Sequence, residues 1–220
     1  MDYLIELLIC VPTVLIALTF HEWAHGFAAY KLGDPTAKYM GRLSLNPLRH
    51  LDPIGALCML LFHFGWAKPV PIDTRYFKKP RRDMALSALA GPLMNILLGF
   101  FGTFIYALSV HFIRVQSGTF AYYLASSWVT FAYYFAWLNL SLAIFNLIPL
   151  PPLDGSRIFL VWLPERTYFN IMRYEREIGI GFMVLLFLDS RFLGSHITGA
   201  LSFIVNVLFN AFIKLFTLIF

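Results

Sequence analysis

Two imidazoles and a carboxylate stand close together in the segment His21-Glu22-Trp23-Ala24-His25. Residues four apart lie on the same face of a helix, so both histidines can bind one metal ion while Glu22 lies beside them as a base. A pattern of five residues also occurs by chance. Here it ends a long apolar stretch, where ionisable side chains are costly and rarely lack a function or a partner. The pattern therefore predicts that His21, Glu22 and His25 form a metal-dependent hydrolytic site.

The third metal ligand must come from elsewhere in the chain, because a hydrolytic zinc site takes three protein ligands and leaves a fourth position for water. The candidates are His50, His63, His111, His196, Asp154 and Asp189. Asp154 is favoured because it follows a proline-rich break in an apolar segment, where an unwound backbone can aim a side chain inward. Gly155 beside it permits the close approach of another helix. The alternative is that Asp154 caps a helix that begins after the break.

The remaining candidate ligands are expected in ordinary positions. His50 lies in a basic loop, and His111 and His196 lie near the ends of apolar segments. The segment of His63 could enter the membrane, so that residue stays open as a ligand. Asp189 is expected to form a local ion pair with the nearby arginine, Arg191.

Two asparagines, Asn95 and Asn146, occupy positions that otherwise favour apolar residues. A side-chain amide there could donate to the oxyanion of a reacting carbonyl or hold a substrate strand. It could equally form the interhelical hydrogen bond that is common in membrane bundles. Spacing alone leaves both interpretations open.

The elements that position these residues are expected to be membrane helices. The chain of 220 residues is 59% hydrophobic and 13% charged, whereas a soluble domain carries roughly a quarter charged residues. Apolar stretches cover residues 3–20, 84–112, 120–150, 178–188 and 199–220. Most approach or exceed the ~20 residues that a helix needs to cross a bilayer. We expect an all-α polytopic membrane protein with about five to six transmembrane helices, in a single domain over residues 1–220.

The charge distribution predicts an orientation in the membrane. Ten of the 17 basic residues lie between Lys31 and Arg82. By the positive-inside tendency this stretch is cytoplasmic, which places the N-terminus outside. The acidic start, with Asp2 and Glu6, favours a mature first helix over a secretory signal. A nucleic-acid surface would need a folded polar module that the sequence lacks, so no nucleic-acid partner is expected.

Three motifs, in this order, resemble those of the site-2 protease family of intramembrane zinc metalloproteases, in its compact prokaryotic form. They are His21-Glu22-Trp23-Ala24-His25-Gly26, Ala90-Gly91-Pro92-Leu93-Met94-Asn95 and Asn146-Leu147-Ile148-Pro149-Leu150-Pro151-Pro152-Leu153-Asp154-Gly155. The run Gly65-Trp66-Ala67-Lys68-Pro69-Val70-Pro71 is also similar to that family. The resemblance covers about residues 1–160, and the residues beyond it match no family motif.

The resemblance implies a zinc cofactor, Asp154 as the third zinc ligand, and a three-helix catalytic core within about residues 1–160. It implies that Asn146 assists near the scissile carbonyl, and it places Asn95 in the motif between the zinc-binding segments. The substrate would be a transmembrane protein or peptide, and the location a cell (inner) membrane with the lipid bilayer around the chain. Neither the PDZ nor the CBS domain of larger members is expected here. Residues 178–220 would form C-terminal membrane segments.

The stretch before the apolar residues 84–112 carries a further expectation. Residues 54–66 are apolar but short for a span, which favours a re-entrant segment, and the proline-punctuated residues 67–73 are expected to be extended. An extended stretch could pair with an unwound substrate as an added strand. Lys68, Pro69 and Val70 are therefore candidate substrate-binding residues.

Two other classes of protein fit part of the pattern. A metal transporter would use membrane-buried His and Asp as an ion path, but it would spread polar residues along several helices and would leave Glu22 without a specific task. A proteolytically inactive scaffold would bind membrane partners, but the complete set of His21, Glu22, His25 and Asp154 argues against lost catalysis. A zinc-dependent intramembrane endopeptidase is the function the sequence favours.

Overall fold

The structure, a computed structural model, describes residues 3–55, 67–192 and 194–219, with the backbone alone for residues 3–7. Helices make up most of this part of the chain. The helices are α1 (Tyr3–Lys31), α2 (Thr36–Tyr39), α3 (Pro80–Phe112), α4 (Phe120–Asn146), α5 (Asp154–Phe159), α6 (Glu165–Arg173), α7 (Glu175–Phe192) and α8 (His196–Thr217). Short 3-10 turns occupy Pro47–Arg49, Thr74–Tyr76 and Leu160–Trp162. Within the described ranges β structure is limited to one isolated antiparallel bridge, between Leu51 and Ala67.

Four of these helices are long and apolar enough to cross a membrane. The candidate spans among the described residues are Leu8–Lys31, Pro80–Phe112, Phe120–Asn146 and His196–Thr217. They confirm the expected all-α polytopic membrane protein. The count is lower than the five to six helices expected, because the apolar residues 178–188 lie in α7, which carries charged residues at both ends. The expected re-entrant segment falls mostly on residues 56–66, outside the described residues.

Contacts group the chain into two compact units. Unit 1 comprises Met1–Ala17, Asn95–Phe145 and Leu186–Phe220, and unit 2 comprises Leu18–Met94 and Asn146–Leu185. The sequence gives a reason for the helix ends in unit 2. Helix α1 ends where Gly33 adopts a φ of +113°, and the next N–H, of Asp34, donates to Ala29 O at 2.9 Å. This arrangement satisfies a terminal carbonyl that the helix leaves without a partner.

Unit 1 is held by apolar packing and by buried amides. Ala136, Leu140, Val205 and Phe209 form its buried core. Aromatic and aliphatic side chains pack around them: Tyr106, Tyr133, Trp137, Ile144, Leu208, Phe212 and Ile213. Polar side chains join its helices at depth. The fully buried Asn95 of α3 donates from Nδ2 to Asn139 Oδ1 of α4 at 2.9 Å and to Ala17 O of α1 at 3.2 Å.

The carboxylate of Asp189 lies in unit 1 and joins α7 to α8. It is buried and accepts hydrogen bonds from the backbone N–H groups of Ile197 and Thr198, at 3.1 Å each. Burial alone would raise the pKa of Asp189, but these N–H donors outweigh it and hold the pKa below its ordinary value. The expected ion pair with Arg191 is wrong, because the Asp189 carboxylate accepts its hydrogen bonds from the first turn of α8 instead.

Candidate active site

His21 and His25 lie on one face of α1, and both are buried. Their Nε2 atoms are 2.9 Å apart. The other ring nitrogen of His25, Nδ1, lies 2.8 Å from the backbone carbonyl oxygen of Ser87 in α3. A carbonyl can only accept, so Nδ1 holds the proton and Nε2 is left as the metal-binding atom. The four-residue spacing on α1 and the carbonyl of Ser87 together determine how the two imidazole rings are oriented.

Asp154 reaches the same place from a distant part of the chain. It is the first residue of α5, and its Oδ2 lies 3.1 Å from His21 Nε2 and 3.2 Å from His25 Nε2. The cap position belongs to Leu153, whose side chain makes no cap hydrogen bond. The alternative interpretation of the sequence, that Asp154 caps the helix, is therefore wrong.

Gly155 is required by the way the chain turns into α5. A Cβ atom at this position would collide with the carbonyl oxygens of Leu147 and Ile148, which belong to the turn that precedes the helix. Only a residue without a side chain lets the backbone fold back so closely. The proline-rich break and Gly155 thus bring Asp154 to the two histidines.

The three donor atoms fit a divalent cation with nitrogen and oxygen ligands. His21, His25 and Asp154 form a group whose ligand atoms all lie within 4.8 Å of one another. Tetrahedral ligands at the usual zinc distances are roughly 3.3 Å apart, close to the separations seen here. Asp154 Oδ2 is also buried without a hydrogen-bond partner, although it lies beside both imidazoles. A buried acceptor of this kind is what a metal ion satisfies.

The charge state of Asp154 agrees with a ligand role. Burial alone would raise its pKa, but the attraction of His25 and the contacts with both imidazoles outweigh burial, and the pKa lies well below its ordinary value. The group is therefore a carboxylate at neutral pH, which is the form that binds a metal. Its side chain keeps 18% of its surface exposed, against 6% and 9% for the two histidines, so the centre is open on the side of Asp154.

Glu22 lies next to the histidines on α1 and is half-buried. Its Oε2 accepts a hydrogen bond from the backbone N–H of Val70 at 2.8 Å. Val70 belongs to residues 67–73, which run between the bridge at Ala67 and the turn Thr74–Tyr76 and contain no helix. The sequence predicted that this stretch would be extended; the contact between its backbone and the candidate base was not foreseen.

The two asparagines lie in different surroundings. Asn146 is the last residue of α4 and is half-buried, eight residues before Asp154. Asn95 is fully buried in unit 1 and its amide joins α1, α3 and α4. That is the interhelical hydrogen bond which the sequence left open as an alternative. The catalytic role of Asn146 and the substrate-binding role of Asn95 stay predictions.

The other candidate ligands lie apart from this group. His50 is buried with Nε2 2.7 Å from Ser44 O, the ring of His111 meets that of Phe112 edge to face, and the exposed His196 begins α8. His63 lies outside the described residues. Among the described residues, Asp154 alone joins the two histidines in a metal-sized group.

Comparison with known proteins assigns the chain to a family. Its residues 109–188, which include Asp154, match the model for peptidase family M50. It is 40% identical over 213 residues to YwhC of Bacillus subtilis (strain 168), covering 96% of this chain and 91% of that protein. It is 28% identical over 180 residues to Rip2 of Mycobacterium tuberculosis (strain ATCC 25618 / H37Rv), covering 79% of this chain and 64% of that protein. Both relatives are named zinc metalloproteases. No solved structure matches the chain.

A helical membrane protein with a His-His-Asp group next to a glutamate has the arrangement that a metalloprotease requires. The chain belongs to peptidase family M50, which confirms the resemblance to the site-2 proteases and the predicted class of zinc metalloprotease.

Proposed function

We propose that the chain is an intramembrane zinc endopeptidase that hydrolyses peptide bonds within or near the transmembrane segments of membrane proteins. The observation that carries the proposal is the group of the two buried histidines His21 and His25 with the partly buried Asp154. The histidines and Glu22 lie on a helix long and apolar enough to cross a bilayer. Such a group of ionisable side chains is costly at membrane depth unless it has a function.

Each residue of the site has a separate role in the proposed reaction. His21, His25 and Asp154 hold the metal, and zinc, when bound, supplies Lewis-acid chemistry and lowers the pKa of water towards ~7. Glu22 takes a proton from the attacking water and delivers it to the leaving amine. Asn146 donates to the developing oxyanion. The opening beside Asp154 supports this assignment, because water must reach the site through protein rather than through lipid.

Substrate contact is assigned to Asn95 and to the residues Lys68, Pro69 and Val70. Pairing with an unwound substrate strand is restricted by hydrogen bonds already made: the N–H groups of Lys68, Val70 and Asp73 donate within unit 2, and proline has no N–H. The side chains of Lys68 and Pro69 are exposed. The segment therefore offers a substrate its exposed side chains and remaining carbonyl groups rather than a full row of ladder donors.

The location proposed is a cell membrane with residues 31–82 on the cytoplasmic side and the N-terminus outside. This stretch contains ten of the chain's 17 basic residues, and the positive-inside tendency therefore supports this orientation. The proposed substrate is a transmembrane protein or peptide. The candidate centre lies on a helix that can span the membrane, and a soluble peptide would have to enter the membrane to reach it.

The test compares wild type with Glu22→Gln in proteoliposomes, at equal zinc content, on a panel of single-span helices. We expect cleavage by the wild type and a loss of at least about a hundredfold in kcat for the variant, because the amide cannot accept a proton. Equal cleavage by both proteins would show that Glu22 is not the base. If neither cleaves while zinc crosses the bilayer in a flux assay, the chain is a transporter and the proposal fails.

A further inference from the structure

Arg42 is a buried charged residue for which neither the metal group nor the proposed chemistry gives a reason. It follows Gly41, whose φ of +65° ends α2, and it is only 9% exposed. Its Nη2 donates to Lys68 O at 2.6 Å and to Pro69 O at 3.3 Å. Its Nε is buried and has no hydrogen-bond partner among the described residues. Arginines are almost never buried unless paired, and an unsatisfied buried donor requires an explanation.

The segment that Arg42 holds is also fixed at its other end. Asp34 is fully buried, and its Oδ2 accepts from the backbone N–H of Asp73 at 2.7 Å. The same carboxylate accepts from Thr36 N through its other oxygen at 2.9 Å. Lys68 N also donates to His50 O at 2.8 Å. Residues 68–69 and residue 73 are thus anchored by two buried side chains of opposite charge.

Between these anchors lies the N–H that meets the candidate base. Val70 N donates to Glu22 Oε2 at 2.8 Å, and the Val70 side chain is buried. A backbone N–H has no freedom of its own, so its position is set by whatever holds the segment. Glu22, in contrast, has a long side chain with several rotamers, of which the hydrogen bond selects one. The position of the carboxylate therefore depends on the two anchors.

We propose that Arg42 is a positioning residue for Glu22, acting through the carbonyls of residues 68 and 69 and the N–H of Val70, with Asp34 holding the far end of the same segment. The proposal rests on Glu22 as the base of the proposed function. Under this proposal residues 67–73 hold the base Glu22 in place, which is a task separate from substrate contact. The two tasks have different kinetic consequences, because misplacing a base lowers kcat whereas losing substrate contact raises KM.

The main test measures kcat and KM of Arg42→Met, Arg42→Lys and the matched control Arg49→Met. Arg49 is exposed, lies in the same basic stretch and donates to Gly41 O rather than to the segment. We expect Arg42→Met to lower kcat by about ten- to a hundredfold with zinc content unchanged, whether or not KM also rises. Arg42→Lys should recover part of kcat, because an ammonium can still donate to a carbonyl. An unchanged kcat, or a change confined to KM, overturns the proposal.

A second variant pair tests whether Arg42 acts through the Val70 N–H. Val70→Pro removes the backbone N–H. Val70→Ala removes most of the valine side chain but keeps the N–H. We expect Val70→Pro to lose more kcat than Val70→Ala. Adding Arg42→Met to Val70→Pro should cause no further loss, because both changes break the same connection. Full additivity of the two losses contradicts the proposed route.

Hydrogen exchange of the peptides that cover residues 67–73 provides a readout without substrate. We expect faster exchange in Arg42→Met than in wild type or Arg49→Met, because the segment is released from its anchor. Unchanged exchange overturns the proposal even if no substrate has been found. If the wild type cleaves and Arg42→Met retains full kcat, this inference fails alone. If the wild type cleaves nothing but exchange rises, the proposed function fails while the anchoring by Arg42 stands.

Discussion

Gly91 shows how strongly the metal group depends on a single missing side chain. A Cβ atom there would lie 2.5 Å from His25 Cε1 and Nε2 and 2.7 Å from His21 Cε1. Real contacts between such atoms are not this short, so the two rings would have to move. Because Ser87, which orients His25, lies one turn earlier on α3, this helix both orients the histidine pair and leaves room for it.

Gly91→Ala is therefore expected to weaken zinc binding while the protein stays folded. Displaced rings no longer converge with Asp154, and disturbed supporting contacts typically cost about ten- to a hundredfold in metal affinity. The measurement is zinc bound per chain in detergent at a series of buffered zinc concentrations. Gly181→Ala is the matched control, because a Cβ at Gly181 meets nothing within 4 Å. Equal zinc affinity of both variants would show that the rings tolerate the methyl group.

At the scale of elements, α1, α3 and α4 are joined by amides as well as by apolar packing. Asn95 donates to Ala17 O and Asn139 Oδ1, and Asn139 donates from Nδ2 to Phe135 O at 2.8 Å. Both asparagines are fully buried. Since lipid offers no alternative partners, satisfied amides can link helices that apolar packing alone would leave free to slide. Asn95 thus has a structural task in addition to the substrate contact proposed for it.

Asn139→Leu is expected to lower the free energy of unfolding by about 1 kcal/mol, because it leaves the buried amide of Asn95 short of an acceptor. The measurement is reversible unfolding in mixed micelles followed by circular dichroism. The double variant Asn95→Leu/Asn139→Leu should have nearly the same free energy of unfolding as Asn139→Leu, since the hydrogen bond between the two asparagines is already lost. Asn206→Leu, which removes an exposed bond to Trp137, is the control. A raised KM in Asn95→Leu, beyond its effect on stability, would support substrate contact.

The sequence predicted the helices, and the three residues that the structure groups as a candidate metal centre, better than it predicted the contacts that hold them in place. His21 and His25 are four residues apart on one helix, and Asp154 follows a conspicuous proline-rich break, so local pattern and family resemblance were sufficient. Arg42 was counted only as part of a basic stretch, and Asp34 was assigned no role. Their partners are backbone atoms 26 and 39 residues away, and no local pattern encodes such a contact.

At the scale of the whole molecule, the hydropathy pattern and the charge pattern agree on one arrangement in the membrane. The described spans account for most of the long apolar stretches. Residues 31–82, which end in the first turn of α3, carry ten basic residues, whereas residues 113–119, between α3 and α4, carry Arg114 alone. By the positive-inside tendency we predict that the two ends of α3 face opposite sides, with the basic end inside.

Cysteine accessibility tests this arrangement directly. Lys78→Cys and Gln116→Cys, each in a background where Cys10 and Cys58 are replaced by alanine, are compared in intact cells with a thiol reagent that does not cross membranes. Both positions are exposed. We expect Gln116→Cys to react from outside and Lys78→Cys to react only after the membrane is permeabilised, because the positive-inside tendency places the basic end of α3 in the cytoplasm. The reverse pattern would invert the proposed orientation, and labelling of both from one side would show that α3 does not span the bilayer.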